Sequence, residues 1–216
     1  MLRFFYLFLL FFWFFCFSVG HSLESEWGGI EEAKVRIISP FSKANDNDIF
    51  YIGLEYQLKE DWKTYWKSPG EGGFPQQIDW SQSTNIANLE ILWPIPEEFE
   101  ILGFKSIGYT DEVIFPLKVK LLDLKLPTNF IIDLNFLTCK DICLPGQATL
   151  SLFLPPGKGN LTNHSFKLEK YLSKIPLDNN TINGLEILNA SAFSDNQSTL
   201  IKIQAKSNTF FNKPKL

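Results

Sequence analysis

The sequence predicts an all-β protein, a two-sheet sandwich of immunoglobulin-like type, and three observations carry that reading. Short runs rich in Val, Ile, Tyr and Phe alternate apolar with polar residues. Clusters of Pro and Gly separate these runs. No stretch of residues 1–157 after the apolar N-terminus holds the 3.6-residue period of an amphipathic helix. A closed barrel is the alternative arrangement of such strands.

The chain opens on Met1-Leu2-Arg3 and runs from Phe4 to Phe17 through aromatic, aliphatic and cysteine side chains alone. One positive charge, an apolar run too short to span a bilayer with ease, and small residues at Ser18 and Gly20 have the layout of a secretory signal peptide, residues 1–20, cleaved after Gly20. An uncleaved anchor with Trp13 at the interface is the alternative. Cys16 lacks the small preceding residue that a lipid-attachment site wants.

The first strand is Ala33 to Ile38, alternating around Val35 and Ile37. Ile49 to Leu58, Ile114 to Leu122, Phe130 to Leu137 and Ala148 to Leu154 repeat the pattern. Ser68-Pro69-Gly70-Glu71-Gly72-Gly73, Trp93-Pro94-Ile95-Pro96 and Pro155-Pro156-Gly157 read as turns or loops. These elements place the sandwich domain at residues 21–157. From 158 to 183 the chain is rich in Asn, Ser, Thr and Lys and reads as a linker with one short helix near Ser165 to Ser173. Within 184–216, Leu185 to Ala192 and Thr199 to Ala205 form a strand pair. Two strands bury no core of their own, so this piece is an extra hairpin or the start of an incomplete second β domain.

The balance of 20 basic against 24 acidic side chains in 216 residues, with no stripe of Lys and Arg, argues against a nucleic-acid partner. Export places the chain where disulfides form and persist. Once the signal is removed, Cys139 and Cys143 are the only cysteines. Zinc is disfavoured, because His21 and His164 are the only imidazoles available to join them.

In an extended strand two residues four apart are separated by about 13 Å at ~3.3 Å per residue, whereas a disulfide needs Cα atoms within roughly 4.4–6.8 Å. The chain must therefore turn between the cysteines. The simplest geometry ends one strand at Cys139, starts the next at Cys143, and uses Lys140-Asp141-Ile142 as the connection. As a staple this pair would be weak: a five-residue ring contributes about 2 kcal/mol of loop entropy, against about 4.5 kcal/mol for a ring of about eighty residues. A small ring belongs more readily with the labile, exchange-prone disulfides. Lys140 favours a thiolate at its neighbour, and Asp141 opposes that or helps to move protons. Redox exchange and a plain structural disulfide both remain open on these grounds. A separate reading takes Trp62, Trp66, Trp80 and Trp93 as an aromatic platform for a sugar or peptide, against the plainer one that they fill the core.

Four stretches together resemble the N-terminal periplasmic domain of DsbD-type thiol:disulfide interchange proteins, especially the branch that includes the copper-sensitivity suppressor ScsB. They are Asp61-Trp62-Lys63-Thr64-Tyr65-Trp66-Lys67-Ser68-Pro69-Gly70-Glu71, Leu92-Trp93-Pro94-Ile95-Pro96, Ile107-Gly108-Tyr109-Thr110-Asp111-Glu112-Val113, and Cys139-Lys140-Asp141-Ile142-Cys143-Leu144-Pro145. The likeness covers about residues 30–157 and, more faintly, 184–216. It implies a protein-disulfide reductase module with no cofactor beyond its redox-active disulfide. Electrons would arrive from a thioredoxin-like domain fed by a membrane-embedded partner and leave to oxidised periplasmic proteins, the setting of cytochrome c maturation or copper tolerance. It also implies Cys143 as the exchange residue, Cys139 as its resolving partner, and a cap loop at Glu97 to Phe104 with Phe99 or Phe104 as the aromatic shield. The sequence holds neither the family's membrane helices nor its thioredoxin-like domain with a Cys-x-x-Cys, so the chain is expected to be a fragment of a longer protein, a split product whose partner is another chain, or a free-standing exchange module. The alternative to exchange is a non-catalytic binding module with a structural disulfide, for a peptide, a sugar or a copper-related role. No Met beyond Met1 and no His cluster supports copper directly.

Overall fold

A computed structural model describes residues 23–44, 47–176, 185–194 and 198–208. The expected signal at 1–20, His21, most of the chain between the helix and the last strand pair, and the C-terminal Pro214-Lys215-Leu216 lie outside the described residues. The chain divides into two compact units, Met1–Lys174 and Ile175–Leu216, each described here by itself.

The first unit holds β1 (Gly28–Ile30), β2 (Ala33–Ile38), β3 (Ile49–Leu58), β4 (Lys63–Gly70), β5 (Gln77–Asp79), β6 (Ile86–Ile91), β7 (Glu97–Ile101), β8 (Phe104–Thr110), β9 (Glu112–Leu121), β10 (Thr128–Cys139), β11 (Cys143–Leu154) and one helix, α1 (Ser165–Leu172). One sheet runs β1-β2-β3-β9-β6 and the other β11-β10-β4-β8-β7, with β5 added beside β10. Every pairing is antiparallel. The expected sandwich is thus present, and the five strands read from alternation are all there. Two of them extend further: β10 runs on to Cys139, and β11 begins at Cys143 rather than at Ala148.

The core lies between the sheets. Phe115 meets Tyr56, Trp93 and Tyr109 edge-on at ring separations of 5.4, 5.2 and 5.1 Å, the geometry that aromatic quadrupoles favour. Trp62, Trp66, Trp80 and Trp93 all pack, partly buried, against this core, which takes ring surface away from the sugar or peptide platform. Helix α1 covers the outer face of the first sheet. Its Leu168 and Tyr171 are buried, and its Lys167 reaches Glu55 and Glu112 at 2.8 and 2.9 Å. The short helix read from sequence near Ser165 therefore belongs to the packed unit.

Strands β4, β5, β6 and β8 carry no clean alternation in sequence. Ser68-Pro69-Gly70, expected as a loop, closes β4, because Gly70 at φ 88° lets the strand pair again with Ser106 after a bulge. The expected loop from Glu97 to Phe104 is a β-hairpin. Ile101 pairs with Phe104 across Leu102 and Gly103, both at positive φ, 54° and 82°, the backbone of a two-residue type I′ turn.

The second unit contains the hairpin β12 (Leu185–Ser194) and β13 (Thr199–Ser207), bulged between Ile187 and Asn189. Ala190 faces Ile203 and Ala192 faces Ile201. No helix among the described residues is long and apolar enough to cross a membrane.

Candidate redox site

Burial along β10 alternates from Thr128 to Thr138, with Phe130, Ile132, Leu134 and Phe136 turned into the core. The alternation fails at its last step. Cys139 points to the other face and is nonetheless fully buried. What covers it is a small second cluster of Tyr65, Ile101 and Cys139, with Phe99, Leu137 and Cys143 packed around it.

Strand register places the pair. Cys139 faces Cys143 across the β10–β11 hairpin and Lys63 across the edge shared with β4. The connection is Lys140-Asp141-Ile142, as the spacing required, and the Lys140 N–H donates to the Ile142 carbonyl at 3.0 Å. The Cα atoms of the cysteines stand 4.1 Å apart, and the sulfurs are bonded. Two side chains hold β4 against β10. The Thr64 hydroxyl donates to the Leu137 carbonyl at 3.1 Å and the Thr138 hydroxyl to the Lys63 carbonyl at 3.0 Å. The Gln76 amide donates to Thr64 Oγ1 at 2.9 Å, tying in the glycine-rich segment that follows β4.

The two cysteines differ in burial. Cys139 is sealed and Cys143 is half-buried, so an attacking group from solvent meets Cys143 first. The Tyr65 hydroxyl lies 2.9 Å from Cys139 Sγ, to which it donates, and 4.0 Å from Cys143 Sγ. Burial pushes the Tyr65 phenol up, so it stays protonated as a donor.

Of the two aromatic shield candidates, Phe99 belongs to this cluster, its ring 6.1 Å from that of Tyr65. Lys63 Nζ stands 5.9 Å from the centroid of the Phe99 ring. Phe104 is 49% exposed and lies instead over Gly72. Lys140 and Asp141, the thiolate-tuning candidates, border a cleft of about 470 Å³ beside the pair, with Asp61, Lys63, Glu100 and Leu102. The Lys140 ammonium is held by Asp61 at 2.9 Å. That contact raises Lys140 and lowers Asp61. No group of three or more His, Cys, Asp or Glu fit to hold a metal occurs among the described residues.

Sequence reasoning named the cysteines and missed Tyr65 and Gly73. A Cβ on Gly73 would meet the Tyr65 ring and Pro69 Cβ at 2.4 Å, so that glycine allows the backbone to lie directly on the tyrosine.

Comparison with known proteins fits this geometry. Residues 34–155 match the family model described as thiol:disulfide interchange protein DsbD, N-terminal. The crystal structure of the N-terminal periplasmic domain of ScsB from Proteus mirabilis aligns with a TM-score of 0.66 and 27% identity, over 87% of this chain and 70% of that one. The N-terminal domain of DsbD from Neisseria meningitidis, in its reduced form, aligns at 9% identity with a TM-score of 0.32, over 64% of this chain and 87% of that one, too distant a likeness to argue from. A search of curated proteins returns no match. Since the matched residues run from β2 through the whole cysteine hairpin, the chain belongs to the DsbD N-terminal family and is a thiol–disulfide exchange domain.

Proposed function

We propose that this domain works in the periplasm as a protein-disulfide reductase module, with Cys143 as the exchange residue and Cys139 as the resolving one. Electrons enter from a thioredoxin-like domain of a DsbD-type partner and leave to oxidised periplasmic proteins. The observation that carries this reading is the unequal burial of two bonded cysteines at the tip of one hairpin, one fully buried and one partly exposed. A plain staple has no use for such a difference in burial between its two ends. The disulfide supplies the redox chemistry, and no other cofactor takes part. Export through residues 1–20, a linker in the part of 158–183 that follows α1, and a second β domain beginning at 184 complete the proposal.

In the working direction the Cys143 thiolate attacks one sulfur of a substrate disulfide. The substrate S–S bond breaks, a mixed disulfide forms and one substrate thiolate leaves. The Cys139 thiolate then attacks Cys143 Sγ, closing the internal disulfide and releasing the second substrate thiolate. Two electrons pass from the domain to the substrate.

Trapping tests this. Cys139→Ser leaves Cys143 free and is expected to accumulate disulfide-linked partners on non-reducing gels, a thioredoxin-like protein among them, whereas Cys143→Ser traps few. If neither variant traps a partner and loss of the pair only lowers the melting temperature, the disulfide is structural and the domain is a binding module.

A further inference from the structure

When the internal disulfide opens, negative charge develops on a sulfur that solvent does not reach. Cys139 is fully buried among Tyr65, Ile101, Phe99 and Leu137, surroundings that by themselves penalise a thiolate. The nearby cations are engaged elsewhere. Lys140 is paired with Asp61, and Lys63 lies over the Phe99 ring. The group that does touch the sulfur is the Tyr65 hydroxyl, at 2.9 Å. Two other buried tyrosines spend their hydroxyls on the backbone, Tyr109 donating to the Pro94 carbonyl and Tyr171 to the Glu112 carbonyl, while the buried Tyr56 hydroxyl has no partner among the described residues. Among the described residues, Tyr65 has only the two sulfurs as hydrogen-bond partners. The backbone is arranged to keep it there. Gly73 lies on its ring, and Gly108 packs on its Cα, where an added Cβ would stand 2.9 Å away.

We propose that Tyr65 is the hydrogen-bond donor that holds Cys139 as a thiolate and so sets the redox poise of the pair; this rests on the exchange reading given above. An incoming thiolate attacks Cys143 Sγ, the Cys139–Cys143 bond breaks, and the electron pair goes to Cys139 Sγ, which accepts the Tyr65 O–H hydrogen bond without taking its proton. In the reverse step the same thiolate attacks Cys143 Sγ in the mixed disulfide and the hydrogen bond relaxes to a neutral one. A donor serves this purpose because hydrogen bonds to charged acceptors are about twice as strong as neutral ones.

The test follows the equilibrium of the full chain with a dithiothreitol redox couple from about pH 6 to 9, the range in which protein thiols ionise. Tyr65→Phe keeps the ring and removes the donor. It is expected to shift the equilibrium roughly tenfold toward the disulfide and to move the break in the pH profile up by about one unit. Site-specific 3-fluorotyrosine at Tyr65, a more acidic phenol of nearly the same shape, is expected to move the break down, and it keeps the test open if Tyr65→Phe folds poorly. A profile and equilibrium unchanged in both substitutions, with the unaltered protein exchanging normally, overturns the Tyr65 assignment alone. Failure of the unaltered folded protein to equilibrate with the couple overturns the exchange reading and this inference with it.

Discussion

The Phe99 ring rests on Tyr65 at a separation of 6.1 Å and a tilt of 49°, so a side chain packed against the cysteine cluster leans on the one whose hydroxyl touches Cys139. Phe99→Ala is expected to open the pair from the side of the β7–β8 hairpin. Full burial of a Phe is worth about 3–5 kcal/mol on truncation, and this ring is only partly buried, so a loss of roughly 1–3 kcal/mol is expected in urea unfolding. Reduction of the disulfide by a small dithiol should quicken roughly fivefold as access improves. Phe104→Ala, at an exposed ring outside the cluster, should change stability by no more than about 0.5 kcal/mol. Equal rate effects at the two positions would remove Phe99 from the role of shield.

Leu102 sits at φ 54° in the turn of the same hairpin, a conformation that costs an ordinary L residue roughly 1–2 kcal/mol. Asn tolerates it, and Asn-Gly is the preferred pair for this turn. Leu102→Asn is therefore expected to raise the melting temperature by about 2–4 °C, the shift that 1 kcal/mol brings in a domain of this size. The readout is a reversible thermal melt. A lower melting temperature would mean that the exposed Leu102 side chain contributes packing that outweighs the backbone strain.

The cysteine hairpin was legible because two geometric demands met in few residues: the pair must turn to bond, and alternation on both sides fixed the strands. Strands β2, β10 and β11 were legible for a related reason, since each buries chiefly one face and alternates accordingly, whereas β3 and β9, buried on both faces in their middles, were legible as runs rich in Ile, Val, Tyr and Phe. Strands β4 and β8 were not, because glycines and a bulge between Tyr65 and Gly70 interrupt their pattern. The choice between Phe99 and Phe104 was open to reading. In Glu97-Glu98-Phe99-Glu100-Ile101 the apolar residues fall on every second position, which puts Phe99 and Ile101 on one face and leaves Phe104 beyond the turn. Tyr65 was hidden differently, since nothing local to its motif tells that a strand 74 residues away brings a sulfur to its hydroxyl.

Gly73→Ala introduces a Cβ 2.4 Å from the Tyr65 ring and from Pro69 Cβ, closer than any packed carbon atoms can remain. Tyr65 or the segment must shift, with an expected loss of about 1–3 kcal/mol. Gly72→Ala is the comparison, because its Cβ would meet only Phe104, at 3.4 Å. Urea unfolding of the two variants side by side checks the difference. Equal stabilities would mean that the segment yields freely and does not fix the tyrosine.

Acid is expected to weaken the fold through the charges beneath helix α1. Glu55 is 2% exposed and lies 2.6 Å from Arg36 Nε and 2.8 Å from Lys167 Nζ. Burial pushes its carboxyl up, but the hydrogen bonds from Lys167 and Arg36 outweigh this and hold it below the ordinary value of 4.5. A carboxyl depressed by folding stabilises the fold fully above its unfolded value and loses that contribution as pH falls through the folded one. His164 adds to the same slope at higher pH. Burial holds it below 6.5, with Arg36 acting the same way and Glu24, 2.6 Å from Nε2, pulling back. Between the two values the unfolded chain carries the extra proton, so stability again falls with acid. The unfolding free energy should therefore be level above about pH 6.5 and decline below it, first through His164 and then through Glu55. Glu55→Gln removes the carboxylate that Arg36 and Lys167 share, leaving Arg36 with Glu24 and Lys167 with Glu112, and should cost about 2 kcal/mol near neutral pH, while flattening the part of the decline that lies below about pH 4.5. Urea unfolding of both proteins across the range reads these effects. Curves that run parallel below that point would mean that the acid sensitivity arises elsewhere than at Glu55.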